Sequence, residues 1–165
     1  MKTAQKEFLG YYRSPLGRLR VRVQDQAITG IECVTASSTK KNEKALPAPV
    51  QKRLDHYFKG KSDAGKFRFK LQGTSFQESV WNELRNIPWG QCISYADLAR
   101  AVKRPKAVRA VASAVGKNPI AILVPCHRVI GSDGSLRGYA YGLKKKAWLL
   151  DHEKRYNNSL NRKRG

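Results

Sequence analysis

The chain has 165 residues, enough for one large domain or two small ones, and 41% of them are hydrophobic, which supports a packed core. Thirty-three Lys and Arg against 12 Asp and Glu give a formal net charge of +21. No apolar run approaches the roughly 20 residues of a membrane span, so the partner implied is a polyanion and not a bilayer. Cys33, Cys92 and Cys126 are far apart and never arranged as C-x-x-C, which argues against a disulfide framework or a zinc knuckle, and a set of Cys33, Cys92, His56 and His152 matches no local ligand spacing. The expectation is a soluble intracellular protein, cytoplasmic or nuclear, with reduced thiols, no metal and no cofactor.

Ser14-Pro15-Leu16-Gly17 reads as a turn. After it, residues 18–23 alternate arginine with Leu19, Val21 and Val23, the pattern of a half-buried strand. A hairpin connection at Gln24-Asp25-Gln26 leads to a second strand over 27–34, and the polar stretch 35–46 reads as an exposed loop. Val50, Leu54, Tyr57 and Phe58 recur at helical spacing up to Gly60, whereas Phe67, Phe69 and Leu71 return to period two. Residues 1–72 therefore predict a small α+β domain with an antiparallel sheet.

From Gly73 the pattern turns helical. Ser75 with Glu78 reads as a capping box ahead of Phe76, Val80, Trp81 and Leu84, and Pro88 ends that helix. Ser94 with Asp97 starts a second, short helix. Pro105 sits where proline favours a first helical turn, and Ala107, Val108, Val111, Ala114 and Val115 form the apolar stripe of a third. Short helices joined by a tight turn, the second one alanine-lined and carrying Arg109 and Ser113 off its stripe, resemble a helix-turn-helix. No acidic residue lies between Asp97 and Asp133, yet Arg100, Lys103, Arg104, Lys106, Arg109, Lys117 and Arg128 do. Leu143, Ala147, Trp148 and Leu150 mark a last helix, and 154–165 reads as a basic disordered tail behind a second domain of residues 73–153.

That second domain contains Pro125-Cys126-His127-Arg128-Val129. A thiol attacks as thiolate, which is a minor species near neutrality unless a base or positive charge assists. His127 and Arg128 supply both, and the apolar run 121–124 reads as a buried strand delivering Cys126 to its end. Taken alone, a Cys-His pair does not separate a nucleophile from a small buried hydrophobe.

The order Gly-Thr-Ser-Phe-Gln (73–77), Ile-Pro-Trp-Gly (87–90), Ser-Tyr (94–95), Arg-Ala-Val (109–111), Asn-Pro-Ile (118–120), Pro-Cys-His-Arg-Val-Ile (125–130), Gly-Tyr (138–139) and Leu-Leu-Asp-His-Glu (149–153) closely resembles the O6-alkylguanine-DNA alkyltransferases, or methylated-DNA-protein-cysteine methyltransferases. The resemblance implies irreversible transfer of an alkyl group from O6 of guanine in double-stranded DNA to Cys126, by a monomer that acts once. It assigns His127 as base through a water, Glu153 as the group orienting the imidazole, Tyr95 as donor to the guanine ring and Asn118 as a brace between helix and cysteine. Arg109 would fill the space left by the extruded base. The wider DNA-binding set is Ser113, Tyr139, Ala140, Val129, Ser94 and Arg128. Cys92 and the Ala112-Ser113 pair depart from the usual family residues without removing a chemical group. The alternative is an alkyltransferase-like lesion sensor that binds without transfer, and Cys126 argues against it.

Overall fold

The computed structural model of the protein describes residues 7–35, 44–61 and 67–162. The chain divides into two compact units: Met1–Gln72 with Pro119–Ala121, and Gly73–Asn118 with Ile122–Gly165.

The first unit is an antiparallel sheet in the order β1 (Glu7–Ser14), β2 (Gly17–Gln24), β3 (Ala27–Val34), with one helix, α1 (Ala48–Phe58). Asp25 and Gln26 both take positive φ, 49° and 63°, the two-residue hairpin turn whose twist matches its strands. The alternation expected of β2 holds, with Leu19, Val21 and Val23 buried and Arg18, Arg20 and Arg22 on the other face. β1 is absent from the sequence reading because Phe8, Leu9, Tyr11 and Tyr12 put large apolar groups on both faces while an inward position is Gly10. α1 lies against the Tyr12 side of the sheet: the Tyr12 hydroxyl donates to Asp55 at 2.8 Å, and its ring stacks on Phe58. Residues 67–71 join β3 at the single bridge Ile28–Phe69 and form no strand of their own. The loop expected over 35–46 lies mostly outside the described residues, but Leu46 is buried. Pro119–Ala121 adds to this unit through Ile31 N–H donating to the Pro119 carbonyl and Ala121 N–H donating to that of Ile31.

The second unit holds α2 (Ser75–Leu84), α3 (Tyr95–Ala101), α4 (Val108–Gly116) and α5 (Leu143–Arg162), with β4 (Ile93–Ser94) parallel to β5 (Val129–Ile130). The cap of α2 sits one residue earlier than expected: Thr74 and Gln77 form the capping box. Ser94 and Asp97 cap α3 as the spacing requires. Pro105 is not in the first turn of α4, which starts at Val108. Lys103 turns left-handed at φ 58°, and the next residues close a turn in which Ala107 N–H reaches the Arg104 carbonyl. Buried Trp81 of α2 donates its indole N–H to the Ala114 carbonyl at 2.8 Å, tying α2 to α4.

α5 corrects the disordered tail: residues 154–162 continue the helix, and only 163–165 fall outside the described residues. The polar composition of that stretch hid a helix already nucleated by its buried first turns. Among the described residues no helix is long and apolar enough to cross a membrane.

Candidate active site

The run leading to Cys126 is not a strand. After the lone bridge at Ile120 the backbone reverses at Ile122, a buried β-branched residue at φ 72°, where an L side chain crowds its own carbonyl. Pro125, at φ −83° and ψ 65°, is the centre of an inverse γ-turn closed by Cys126 N–H to the Val124 carbonyl at 2.8 Å. The Asn118 amide donates to that same carbonyl at 2.8 Å, so one side chain from the end of α4 fixes the approach to the cysteine. Cys126, His127 and Arg128 then form a 3₁₀ turn, all buried.

Behind the thiol, Glu153 of α5 collects hydrogen bonds from His127 Nε2 at 2.7 Å, Arg128 Nε at 2.8 Å, Arg128 Nη2 at 2.9 Å and the Gly90 N–H at 3.2 Å. These donors saturate the lone-pair sites of a carboxylate, which a side chain at 0% exposure needs. Burial pushes the Glu153 carboxyl up, but the hydrogen bonds from His127 and Arg128 and the charge of Arg128 outweigh it and hold the group ionised, well below the usual range. An ionised carboxylate only accepts, so His127 Nε2 carries a proton and Nδ1 is the basic nitrogen. Burial holds His127 below its ordinary pKa, against the opposing pull of Glu153, so the ring rests neutral. The Cys126 thiol is raised, again by burial, with Asn118 and the positive charge of Lys146 working the other way. The resting state is thus a protonated thiol beside a neutral, oriented imidazole.

Arg128, expected among the DNA contacts, is turned inward: besides gripping Glu153 it donates Nη1 to the Ile87 carbonyl at 2.6 Å. Val129, also expected in the DNA-binding set, is fully buried, and its carbonyl accepts from Lys146 Nζ at 2.6 Å. Ser94 spends its hydroxyl on the cap of α3. The other predicted residues lie outside this core. Arg109 and Ser113 are exposed on α4, and Ala140 is exposed. Tyr95, Arg109 and Tyr139 line one cleft of about 430 Å³ together with Val108, Gly131 and Gly138. Cys126 is outside that lining and 7% exposed. The Tyr95 hydroxyl donates to the Arg137 carbonyl at 2.9 Å, so any donation to a base requires that bond to be exchanged.

Sequence reasoning missed Lys146. It is completely buried, and its ammonium donates to the carbonyls of Val129, Arg137 and Gly138, pinning the segment that carries the cleft wall to β5. In a run of three lysines it reads as solvated. Its phase with Leu149 and Glu153, one and two turns along α5, is the signal that could have found it. Trp89 was missed likewise: its indole donates to the Glu153 backbone carbonyl at 2.9 Å.

Fold and site together define a two-unit α+β protein whose second unit holds a buried thiol. Residues 8–72 match the ribonuclease-like domain of 6-O-methylguanine DNA methyltransferase and residues 75–155 match its DNA binding domain, so the chain belongs to the 6-O-methylguanine DNA methyltransferase family. It is 38% identical to the methylated-DNA--protein-cysteine methyltransferase of Haemophilus influenzae over 87% of this chain and 84% of that protein. Over 62% of this chain and 68% of the other, it is 53% identical to a probable methylated-DNA--protein-cysteine methyltransferase of Acanthamoeba polyphaga mimivirus. Among solved structures, that of Mycobacterium tuberculosis OGT in complex with DNA is similar at a TM-score of 0.80 and 36% identity, covering 90% of this chain and 93% of that one.

Proposed function

We propose that the protein removes alkyl groups from O6 of guanine in double-stranded DNA and retains them as an S-alkyl adduct on Cys126. The observation that carries this reading is the buried thiol beside a neutral imidazole whose Nε2–H is fixed on Glu153. His127 takes the thiol proton through a water, and its positive charge is then balanced by Glu153, as an orienting third group does in other nucleophile-base systems. The thiolate attacks the alkyl carbon; the S–C bond forms, the C–O6 bond breaks and guanine leaves with the electron pair. Tyr95 supplies the hydrogen bond that stabilises the departing base. Because the thioether has no exit, each molecule acts once.

The target atom lies inside a stacked duplex, so the base must be extruded, which costs a few kcal/mol. The cleft bounded by Tyr95 and Tyr139 is the receiving pocket, and exposed Arg109 on α4 occupies the vacated stack. α3 and α4 act as the helix-turn-helix, with Asn118 coupling α4 to the cysteine turn. The protein works as a monomer in a reducing intracellular compartment, where its thiols stay reduced.

The test is intact-mass measurement after incubation with duplex DNA bearing O6-methylguanine. Wild type gains one methyl, located on Cys126, and Cys126→Ala gains none; an unmodified wild type overturns the reading and favours a lesion sensor. Arg109→Ala should lose most of its rate on duplex DNA and little on free O6-methylguanine base. Equal losses on both would remove the base-extrusion role.

A further inference from the structure

The loop from Gly131 to Gly138 forms one side of the cleft of about 430 Å³. Among the residues that line this cleft the charged ones are Arg109 and Arg137, and Arg109 belongs to the vacated stack. Arg137 has no such task. Its side chain is 65% exposed, yet it is braced: Nε donates to the Ser135 hydroxyl at 2.9 Å, and Nη2 donates to Asp133 Oδ2 at 2.9 Å.

Fixing an exposed arginine in one geometry costs side-chain entropy that an exposed ion pair barely offsets. The loop is nonetheless shaped around it. Gly131 N–H donates to the Ser135 carbonyl and Gly134 N–H to that of Gly131, both at 2.9 Å, with Gly134 at φ 80° where side chains are disfavoured. The Ser135 N–H and hydroxyl both donate to Asp133 Oδ1, which leaves Oδ2 for the guanidinium. A Cβ at Gly131 would stand 2.6 Å from Asp133 Oδ1, 2.9 Å from Ser135 Oγ and 3.1 Å from Arg137 Nε, so a larger residue would displace the brace. The backbone is held as well. The Arg137 carbonyl accepts from Lys146 Nζ at 2.7 Å in addition to Tyr95, so it stays anchored when Tyr95 turns its hydroxyl to a base.

The brace uses one edge of the guanidinium, Nε with Nη2. The other edge, Nη1 with the second hydrogen of Nη2, has no partner among the described residues, and its two parallel N–H groups match two oxygens of one phosphate. We propose that Arg137 clamps a backbone phosphate beside the extruded nucleotide as its base enters the cleft. A base cannot enter without drawing its flanking phosphates to the mouth, where this exposed cation stands. The clamp closes only on the flipped nucleotide, so it favours the extruded state over the stacked one and raises the rate of transfer more than the general affinity for DNA. It reads neither base nor alkyl group. The inference rests on duplex DNA being the substrate.

The experiment compares single-turnover methyl transfer by wild type, Arg137→Gln and Arg137→Lys, read by intact mass, on three duplexes bearing O6-methylguanine. One is unmodified, one carries uncharged methylphosphonates in place of the two phosphates flanking the lesion, and one carries them several steps away. Arg137→Gln should be about tenfold slower on the unmodified duplex, with a slope of log rate against log salt shallower by about 0.9. That difference should vanish when the flanking linkages are neutral and persist when only the distant ones are. Arg137→Lys keeps the charge without the fork, so it should restore the salt slope but only part of the rate. A glutamine variant as fast as wild type, a lysine variant as fast as wild type, or a loss that survives neutral flanking linkages overturns the proposal while leaving transfer intact. A wild type that transfers nothing from the unmodified duplex instead overturns the repair reading.

Discussion

Glu153 accepts its hydrogen bonds where water does not reach, and this couples the site to pH through stability as well as chemistry. His127 is held below its ordinary pKa by burial, so the unfolded chain binds the extra proton first. Stability from this residue is complete above the unfolded value of about 6.5 and is lost as pH falls below it. Glu153 is depressed in the folded state and adds a second loss below about 4.3. Cys126 is raised by burial, so the unfolded chain ionises first on the alkaline side and stability falls above about 8.5. Urea unfolding midpoints should therefore plateau between roughly 6.5 and 8.5, and His127→Gln should flatten the shoulder just below 6.5. A midpoint that climbs steadily through this plateau would contradict the assignment. Glu153→Gln should cost about 3 to 5 kcal/mol, because it leaves the buried guanidinium of Arg128 without its counter-charge. Denaturant titration at neutral pH reads this directly.

At the scale of elements, the cysteine turn is shaped by backbone and not by strand pairing. Ile122 sits at φ 72° with 1% exposure, a conformation that costs a non-glycine residue about 1 to 2 kcal/mol. Glycine normally destabilises an ordered position by about 0.5 to 1 kcal/mol relative to alanine. Here the order should invert, with Ile122→Gly at least as stable as Ile122→Ala by thermal melting, although both lose the buried side chain. A Gly variant clearly less stable than the Ala variant would show that the turn is unstrained. The short helix α3 depends on its cap, where Ser94 and Asp97 satisfy each other's backbone. Ser94→Ala should cost about 1 kcal/mol and loosen Tyr95, the first residue of that helix, which single-turnover rates on duplex DNA would register.

For the whole molecule, a net charge of +21 on 165 residues is self-repulsion that only counter-ions or a polyanion relieve. Added salt should therefore raise the thermal midpoint while it weakens DNA binding, the two effects moving in opposite directions in the same buffer series. A midpoint insensitive to salt would mean that the charges are already locally compensated.

Strand β2, the Ser94 cap, the stripe of α4 and the order of motifs around Cys126 were legible in the sequence because each rests on local periodicity or on neighbours a few residues apart. The pairing of His127 with Glu153 came only from resemblance, since 26 positions separate them. What the sequence determined by itself was the chemistry available: one thiol beside one imidazole, a basic chain and a family pattern. Only the tertiary structure decided that Arg128 faces inward to hold Glu153, that Lys146 is buried among three carbonyls, and that Cys126 stands on a reversed turn. A charged side chain reads as solvated in any sequence, and whether it is buried depends on acceptors that distant segments bring to it.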